Sequence, residues 1–461
     1  MSILAIVISL ILLMYFAYRG VSVLLLAPIM ASVAVLLSGE ASHLLPIYTQ
    51  IFMKELGGYL VKFFPLFILG ALFGKLMADS GSATTIADWV MHKVGRRYVI
   101  LTTVLACGIL TYGGVSLFVV AFAVYPISAV LFRHTNTPKR YIPAAIALGS
   151  FTFTMTALPG TPSIQNAIPI PYLGTNSFAA PGLGIIAGLI MLCGGVWWLQ
   201  SRASKAMAAG EGYGDHPDEK LESIAEDTPP LYQALLPIVL VIGLNALFTY
   251  WLLPSLDLSY LQEERFGKVS PTSVIGLWAV LLALMVAIVV LIVMQWKRWK
   301  NLTATINAGC LGSLLPVFNT ASEVGYGAII ASLAGFAIIK DAVLNFFPQN
   351  PLISATFSIN ILAALTGSSS GGLSIAFRTL GAEYLQIMQA AGISPELFHR
   401  AAVIAAGGLD TLPHCGAVIT LLSICGLTHK QSYPQILMMT SVFPILALIT
   451  ILILGSLFGS F

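Results

Sequence analysis

Long apolar segments separated by short polar ones dominate this sequence. They fall at 3–18, 21–37, 63–77, 99–132, 141–156, 181–199, 231–253, 272–296, 302–339, 345–380, 401–426 and 433–454. Segments of this length favour membrane-spanning helices, because barrel strands need only about ten residues of alternating polarity. The pattern therefore predicts an all-α chain that crosses a membrane many times, beginning with its first segment.

The composition supports the same class. Hydrophobic residues make up 57% and charged residues 9% of the chain, and the mean hydropathy is +0.91. Soluble domains carry about 25% charged residues, so most of this surface must face lipid. The net charge of +3 gives no reason to expect a nucleic-acid partner. The five cysteines lie in apolar segments without metal-type spacing, so neither a metal nor a cofactor is expected.

Two apolar segments are interrupted by clusters of small residues, at Tyr112–Gly114 and at Ser368–Gly371. Backbone that leaves a helix inside a membrane is tolerated only where protein or a wet cavity replaces its hydrogen bonds. Glycine allows the turn, and hydroxyls with freed amides are donors for an anion. The sequence predicts two re-entrant hairpins, at about 99–132 and at about 345–380.

Two further apolar segments are broken by proline. The first is at about 141–178, where LPGTPSIQN combines two prolines with a glycine, hydroxyls and amides, and the second is at about 401–426, with LDTLPHC. Proline removes a backbone donor and interrupts a helix, which exposes carbonyl groups. A simple proline kink is the alternative interpretation.

The order of these features suggests a duplication. Pro65, Gly113 and Pro159 recur as Pro316, Gly371 and Pro413 at a nearly constant separation. We therefore expect two repeats, 1–200 and 231–461, joined by the polar linker 201–230.

Lys and Arg mark cytoplasmic loops. They flank the first hairpin and recur in the linker and at 297–300. This places the N-terminus outside and the linker in the cytoplasm, and it inverts the second repeat relative to the first.

The hydroxyls, amides and glycines at the two hairpin turns and in the first broken segment are the candidate substrate-binding groups. They are Thr111, Gly113, Gly114, Ser116, Thr161, Gln165, Asn166, Thr366, Ser368, Ser369, Ser370 and Gly371. Interrupted helices in corresponding halves of a membrane protein indicate a transporter's central site. Packing between small-residue helices is the alternative.

Three ionisable groups deep in apolar segments are candidates for proton coupling: Glu323, Asp410 and His414. Ionisable residues within membrane segments are expensive and mark functional sites by default. A structural polar pair is the alternative for Asp410 and His414, and the pattern does not choose among the three.

The chain resembles the gluconate:proton symporter family over nearly its whole length. The resemblance is strongest at GALFGKLMADSG (70–81), YGGVSLFVVAFAVYP (112–126), PAAIALGSFTFTMTALPGTPSIQNAIP (143–169) and NTASEVGYG (319–327). It implies a bacterial inner-membrane carrier of elevator type, with a scaffold and a mobile transport domain, working as a homodimer. Such carriers move a small organic anion, a sugar acid or short hydroxy acid, with protons.

The chain departs from gluconate carriers at Ala157–Pro162 and at Leu409–Gly416, and it looks closer to the branch associated with 3-hydroxybutyrate. Proton-coupled symport of a (hydroxy)carboxylate such as 3-hydroxybutyrate or gluconate is therefore expected, with sodium coupling as the alternative. An intramembrane enzyme and a channel are rivals, but no HExxH motif supports the enzyme.

Overall fold

The computed structural model describes residues 2–19, 21–95, 98–115, 117–216, 228–344, 347, 350–413 and 415–461. These residues form helices joined by turns, with no β-strand among them. The helices up to residue 208 are α1 Ser2–Tyr18, α2 Val23–Leu37, α3 Leu44–Ile47, α4 Met53–Asp79, α5 Ser82–Val94, α6 Val99–Tyr112, α7 Leu117–His134, α8 Ile142–Ser150, α9 Phe153–Thr156, α10 Ile164–Ala167, α11 Ile170–Leu173 and α12 Pro181–Ala208.

The helices after residue 228 are α13 Leu231–Leu247, α14 Pro271–Met294, α15 Leu302–Ser332, α16 Gly335–Leu344, α17 Pro351–Thr366, α18 Ser369–Ala390, α19 Pro395–Ala406, α20 Gly416–Ile424, α21 His429–Leu437 and α22 Phe443–Phe458. Short π-helical turns join α3 to α4 and α21 to α22 into single continuous helices.

Several helices are long and apolar enough to span a bilayer. They are Ala41–Asp79, Pro181–Ala208, Leu231–Ser255, Pro271–Met294 and His429–Phe458. Large apolar side chains lie exposed on them, for example Val61 and Trp251 at 83% and 73% exposure. A surface of this kind is stable against lipid rather than water. The prediction of an all-α, multi-pass membrane protein is confirmed.

Each of the two predicted hairpins is a helix, a tight turn and a second helix that packs against the first. In the first pair, α6 has 14 residues and α7 has 18, and Gly114 in the turn has a φ of +94°. In the second pair, α17 has 16 residues and ends at Gly367, whose φ is +63°, before α18 begins. A positive φ favours glycine at both turns.

The two proline-containing segments are irregular, as expected. Between Phe151 and Ala180 the chain forms only four-residue helical turns, α9 to α11, and most of the residues in this stretch are buried. In the second segment, α19 ends at Ala406 and α20 begins at Gly416. Asp410 lies in the non-helical stretch between them.

The long helices α4 and α15 pack along each other in opposite directions. At one end the Thr305 hydroxyl donates to Asp79 at 2.7 Å, and at the other end Gly325 lies against Phe52. The apolar pattern predicted only 63–77 for α4, because Lys54, Glu55 and Lys62 interrupt it. Likewise, α12 continues through Ala208 into the segment expected to be a linker.

The close packing of α17 on α18 predicts a strong effect of Gly372→Ala. A Cβ at residue 372 would overlap backbone atoms of Ala363. Overpacking of this kind destabilises proteins by about 1–3 kcal/mol. We expect Gly372→Ala to lower the apparent Tm of the detergent-purified protein. Gly312→Ala in α15 is the matched control, since nothing lies within 4 Å of its Cβ position. Equal melting temperatures of the two variants would contradict this packing.

A hydroxyl-rich turn between two buried carboxyl groups

The turn between α17 and α18 is built by local chemistry. Gly367 ends α17 in the left-handed conformation, and Ser368 then caps α18 by accepting a hydrogen bond from the Gly371 amide at 3.0 Å. The hydroxyls of Ser368 and Ser370 lie 3.3 Å apart. Ser369 is buried, and Thr366 turns its hydroxyl to backbone carbonyls, the nearest being Leu362 O at 2.9 Å. Several short polar groups therefore converge at one buried turn.

Glu323 lies directly against this turn. Its side chain on α15 is only 5% exposed, and the Ser368 hydroxyl lies near its carboxyl group. A Cβ at Gly371 would overlap the carboxyl group, so only glycine leaves room for it. Within the described residues, Oε2 has no hydrogen-bond partner. Buried polar atoms are nearly always paired, so this oxygen marks a place for a proton or a ligand.

Asp410 reaches the same turn from the second broken segment. It is 7% exposed, and Ser369 lies near its side chain. Its Oδ1 also has no partner in the part of the chain that the structure describes. The same Ser369 hydroxyl accepts a hydrogen bond from Nε2 of Gln165, at 3.0 Å, in the first broken segment. Ser369 thus bonds to the first broken segment and lies near the second.

Two groups that the sequence analysis did not single out complete this site. The Thr320 hydroxyl, one turn before Glu323, lies 3.5 Å from that of Ser370. Tyr59 on α4 is buried, and its hydroxyl lies near those of Ser374 and Thr320. Tyr59 lies outside the predicted apolar segment 63–77, so only the full length of α4 reveals it.

The turn between α6 and α7 has different surroundings. Tyr112 donates its hydroxyl to the Pro159 carbonyl at 2.7 Å, and a Cβ at Gly114 would come within 2.9 Å of Pro162. A Cβ at Gly113 would likewise overlap the Ile238 side chain of α13. Among the residues described, no hydrogen bond joins this turn to Glu323 or Asp410. It supports the first broken segment instead.

Unpaired hydroxyls nevertheless remain around the first turn. Thr111 and Thr161 are 6% and 1% exposed, and their hydroxyls have no partner within the described ranges. Neither hydroxyl takes part in the hydrogen bond that joins Gln165 to Ser369. Ser116 and His414 lie outside the described residues, so their predicted roles remain predictions.

Asn166, a predicted substrate-binding residue, is fully engaged by protein. Its amide nitrogen donates to the carbonyls of Thr161 and Ser177, at 3.1 and 2.8 Å. Its amide oxygen accepts from Nε2 of His399 and from Nη1 of Arg400, both at 3.2 Å. In this conformation the side chain therefore holds the broken segment together.

Arg400 is the centre of that arrangement, and sequence analysis missed it. Its side chain is 0% exposed, and it donates five hydrogen bonds at 2.9–3.4 Å, to Asn166 and to the carbonyls of Thr156, Ser177 and Ala179. No carboxylate of the described residues pairs with it. A guanidinium has five N–H donors, so a single side chain satisfies the carbonyls that the helix break exposes.

These contacts predict that Arg400→Met strongly destabilises the protein. Several buried carbonyls would lose their donor, at about 1–3 kcal/mol each. We expect a large fall in apparent Tm for Arg400→Met. The apparent Tm of Arg400→Lys should lie between those of the wild type and Arg400→Met, because lysine keeps the charge but has three donors. Arg265→Met is the control, because the Arg265 side chain is 69% exposed and its ion pair with Glu263 is worth little. Unchanged melting of Arg400→Met would contradict the role given to Arg400.

Comparison with known proteins agrees with the sequence resemblance. The GntP family permease model matches residues 1–457. "Uncharacterized transporter YxjC" of Bacillus subtilis is 44% identical over 454 residues, 95% of this chain and 96% of that protein. The "High-affinity gluconate transporter" of Escherichia coli is 33% identical over 103 residues, 22% of this chain and 23% of that protein.

The fold also has a solved counterpart. The YdaH transporter of Alcanivorax borkumensis superposes with a TM-score of 0.53 at 16% sequence identity, covering 89% of each chain. At this identity the likeness concerns the fold alone. The match of the family model over almost the whole chain is decisive: this multi-pass membrane protein belongs to the GntP family of permeases.

Proposed function

We propose that this permease is a secondary active transporter that moves a small organic (hydroxy)carboxylate together with protons. The observation that carries the proposal is the position of Glu323, whose unpaired carboxyl oxygen is buried against the hydroxyl-rich turn of residues 366–371. A buried carboxyl group beside anion-binding donors can exchange a proton as the substrate arrives and leaves.

The donors around the turn suit a short acid with few hydroxyl groups. Ser368, Ser369 and Ser370 supply hydroxyls, and Gln165 supplies an amide. Asn166 is occupied by Arg400 and His399 in this conformation, so fewer amides are free for a polyhydroxylated chain. This favours 3-hydroxybutyrate over gluconate, although a relative bears the name of a gluconate transporter.

Two carboxyl groups near one turn suit the coupling of proton movement to substrate transport. Glu323 lies against the turn of residues 366–371, Asp410 lies near Ser369 in it, and each has one unpaired buried oxygen among the described atoms. Protonation of one of them would reduce the negative charge that an arriving carboxylate meets. Sodium held by the same oxygens is the alternative, and the test below separates the two.

The proposed transport cycle depends on the architecture expected from the sequence. Two inverted repeats, 1–200 and 231–461, would each contribute one hairpin and one broken segment to a mobile transport domain. The helix–turn–helix pairs α6–α7 and α17–α18, each followed by a segment without long helices, support this division. A homodimeric scaffold, an external N-terminus and a cytoplasmic linker complete the elevator-type arrangement.

The proposal predicts that Glu323→Gln or Asp410→Asn separates exchange from accumulation. An uncharged replacement imitates the protonated carrier permanently, so labelled substrate should still exchange between preloaded vesicles. Uptake driven by an imposed pH gradient should fall to background in whichever of the two variants replaces the proton-coupling residue. Both activities are measured in the same proteoliposomes with 3-hydroxybutyrate and with gluconate.

Glu264→Gln is the matched control, since the Glu264 side chain is 93% exposed in a loop. If Glu323→Gln and Asp410→Asn both still concentrate substrate under a pH gradient, proton coupling through these residues is wrong. Accumulation that follows a sodium gradient instead would favour the sodium alternative.

A further prediction concerns the Ser369 hydroxyl, which bonds to the first broken segment. Ser369→Ala removes the partner of Gln165 and one of the hydroxyls proposed to donate to the substrate carboxylate. Substrate affinity should therefore fall about tenfold or more, as expected for a lost charge-assisted hydrogen bond of roughly 1.5–3 kcal/mol. Ser332→Ala is the control, because among the described residues the Ser332 hydroxyl bonds only to Ile329 of its own helix. Equal affinities, measured by binding of labelled substrate to purified protein, would remove Ser369 from the site.

A further inference from the structure

A charged cluster lies near the turn of residues 366–371, between α4 and α18. Arg378 of α18 donates through Nη2 to Oε1 of Glu55 on α4. Lys62 of α4 places its ammonium group 4.8 Å from the centre of the Tyr172 ring. The side chains of Arg378 and Glu55 are 43% and 14% exposed, and Lys62 is exposed as well. This cationic entrance cluster is therefore open to the surface on one side.

The cluster carries a net positive charge. Arg378 and Lys62 contribute two cations, and Glu55 contributes one carboxylate within electrostatic reach of Lys62. In the described part of the chain, Lys62 has no ion-pair partner of its own. Its contact with the Tyr172 ring is weak compared with a carboxylate bond, so an anion can replace it.

Polar side chains on α18 and α4 connect the cluster to the turn of residues 366–371 and Glu323. Ser370, Ser374 and Arg378 are spaced by four residues and therefore share one face of α18. This face runs for eight residues, or roughly 12 Å at 1.5 Å per residue. On α4, Tyr59 lies between Glu55 and Lys62 along the helix and has Ser374 as a hydroxyl neighbour. Buried polar side chains thus lie between the charged cluster and Glu323.

We propose that Arg378 and Lys62 form an entrance site for the carboxylate group of the substrate. The arriving anion takes the place of Glu55 on Arg378 and is then passed along Ser374 and Tyr59 to the turn. Glu55 acts as an internal competitor that occupies Arg378 while no substrate is present. This inference rests on the proposed transport of a carboxylate, and under the proposed orientation the entrance faces outward.

A purely structural ion pair between Arg378 and Glu55 makes a different prediction. If the ion pair is only structural, replacing either Arg378 or Glu55 should change KM in the same direction. For an entrance site, the two changes have opposite signs: Arg378→Gln removes attraction for the anion, whereas Glu55→Gln removes the competitor. The sign of the effect therefore separates the two roles.

The test is the KM for initial uptake of labelled 3-hydroxybutyrate and gluconate into proteoliposomes. We expect Arg378→Gln and Lys62→Gln to raise KM about three- to tenfold at about 0.01 M salt, with kcat little changed, and Glu55→Gln to lower KM. These differences should shrink at about 0.15 M salt, because the Debye length falls from about 30 Å to about 8 Å. Arg265→Gln makes the same charge change in an exposed loop and should leave KM unchanged.

The outcomes distinguish the two proposals. If the wild-type protein takes up neither acid, the proposed function fails and the entrance site fails with it. If the wild type transports but Arg378→Gln and Glu55→Gln shift KM in the same direction, or neither shifts it, the entrance site alone is wrong. An equal shift for Arg265→Gln would also overturn it, because a remote charge would then suffice.

Discussion

The satisfaction of backbone polar groups inside a membrane is the constraint on which this structure depends. A helix that breaks in the apolar interior exposes carbonyls and amides that lipid cannot bond. Here the break at residues 151–180 is held by Arg400 and by Asn166, which together bond Thr156, Thr161, Ser177 and Ala179. Protein side chains thus satisfy the backbone groups of this break. The hydroxyls of the turn between α17 and α18 are not needed for that purpose.

The contrast between the two turns follows from this division. The turn after α6 bonds to Pro159 and supports the first broken segment. The turn after α17 instead meets two buried carboxyl groups that keep one free oxygen each in the described structure. Unsatisfied buried acceptors are unfavourable unless a proton or a ligand completes them. A carrier needs such an incomplete site, since a fully satisfied network would bind nothing.

Much of this arrangement could be predicted from the sequence. Glycine and serine clusters marked both turns, and Glu323 and Asp410 were recognisable as carboxyl groups in apolar segments. Arg400, His399 and Tyr59 were missed because their partners are backbone carbonyls or distant hydroxyls, which leave no local pattern. The full length of α4 was missed because Lys54, Glu55 and Lys62 interrupt its apolar run. These charges are explained only by tertiary contacts, such as that of Glu55 with Arg378.

The central claim is that substrate binding at the turn of residues 366–371 is linked to protonation of a buried carboxyl group. Titration calorimetry of the purified protein with 3-hydroxybutyrate and gluconate, in two buffers of different ionisation enthalpy, measures the protons taken up per substrate bound. The account predicts proton uptake near neutral pH by the wild type and its loss in Glu323→Gln or Asp410→Asn. Binding without proton uptake in the wild type, or the same uptake in both variants, would contradict it.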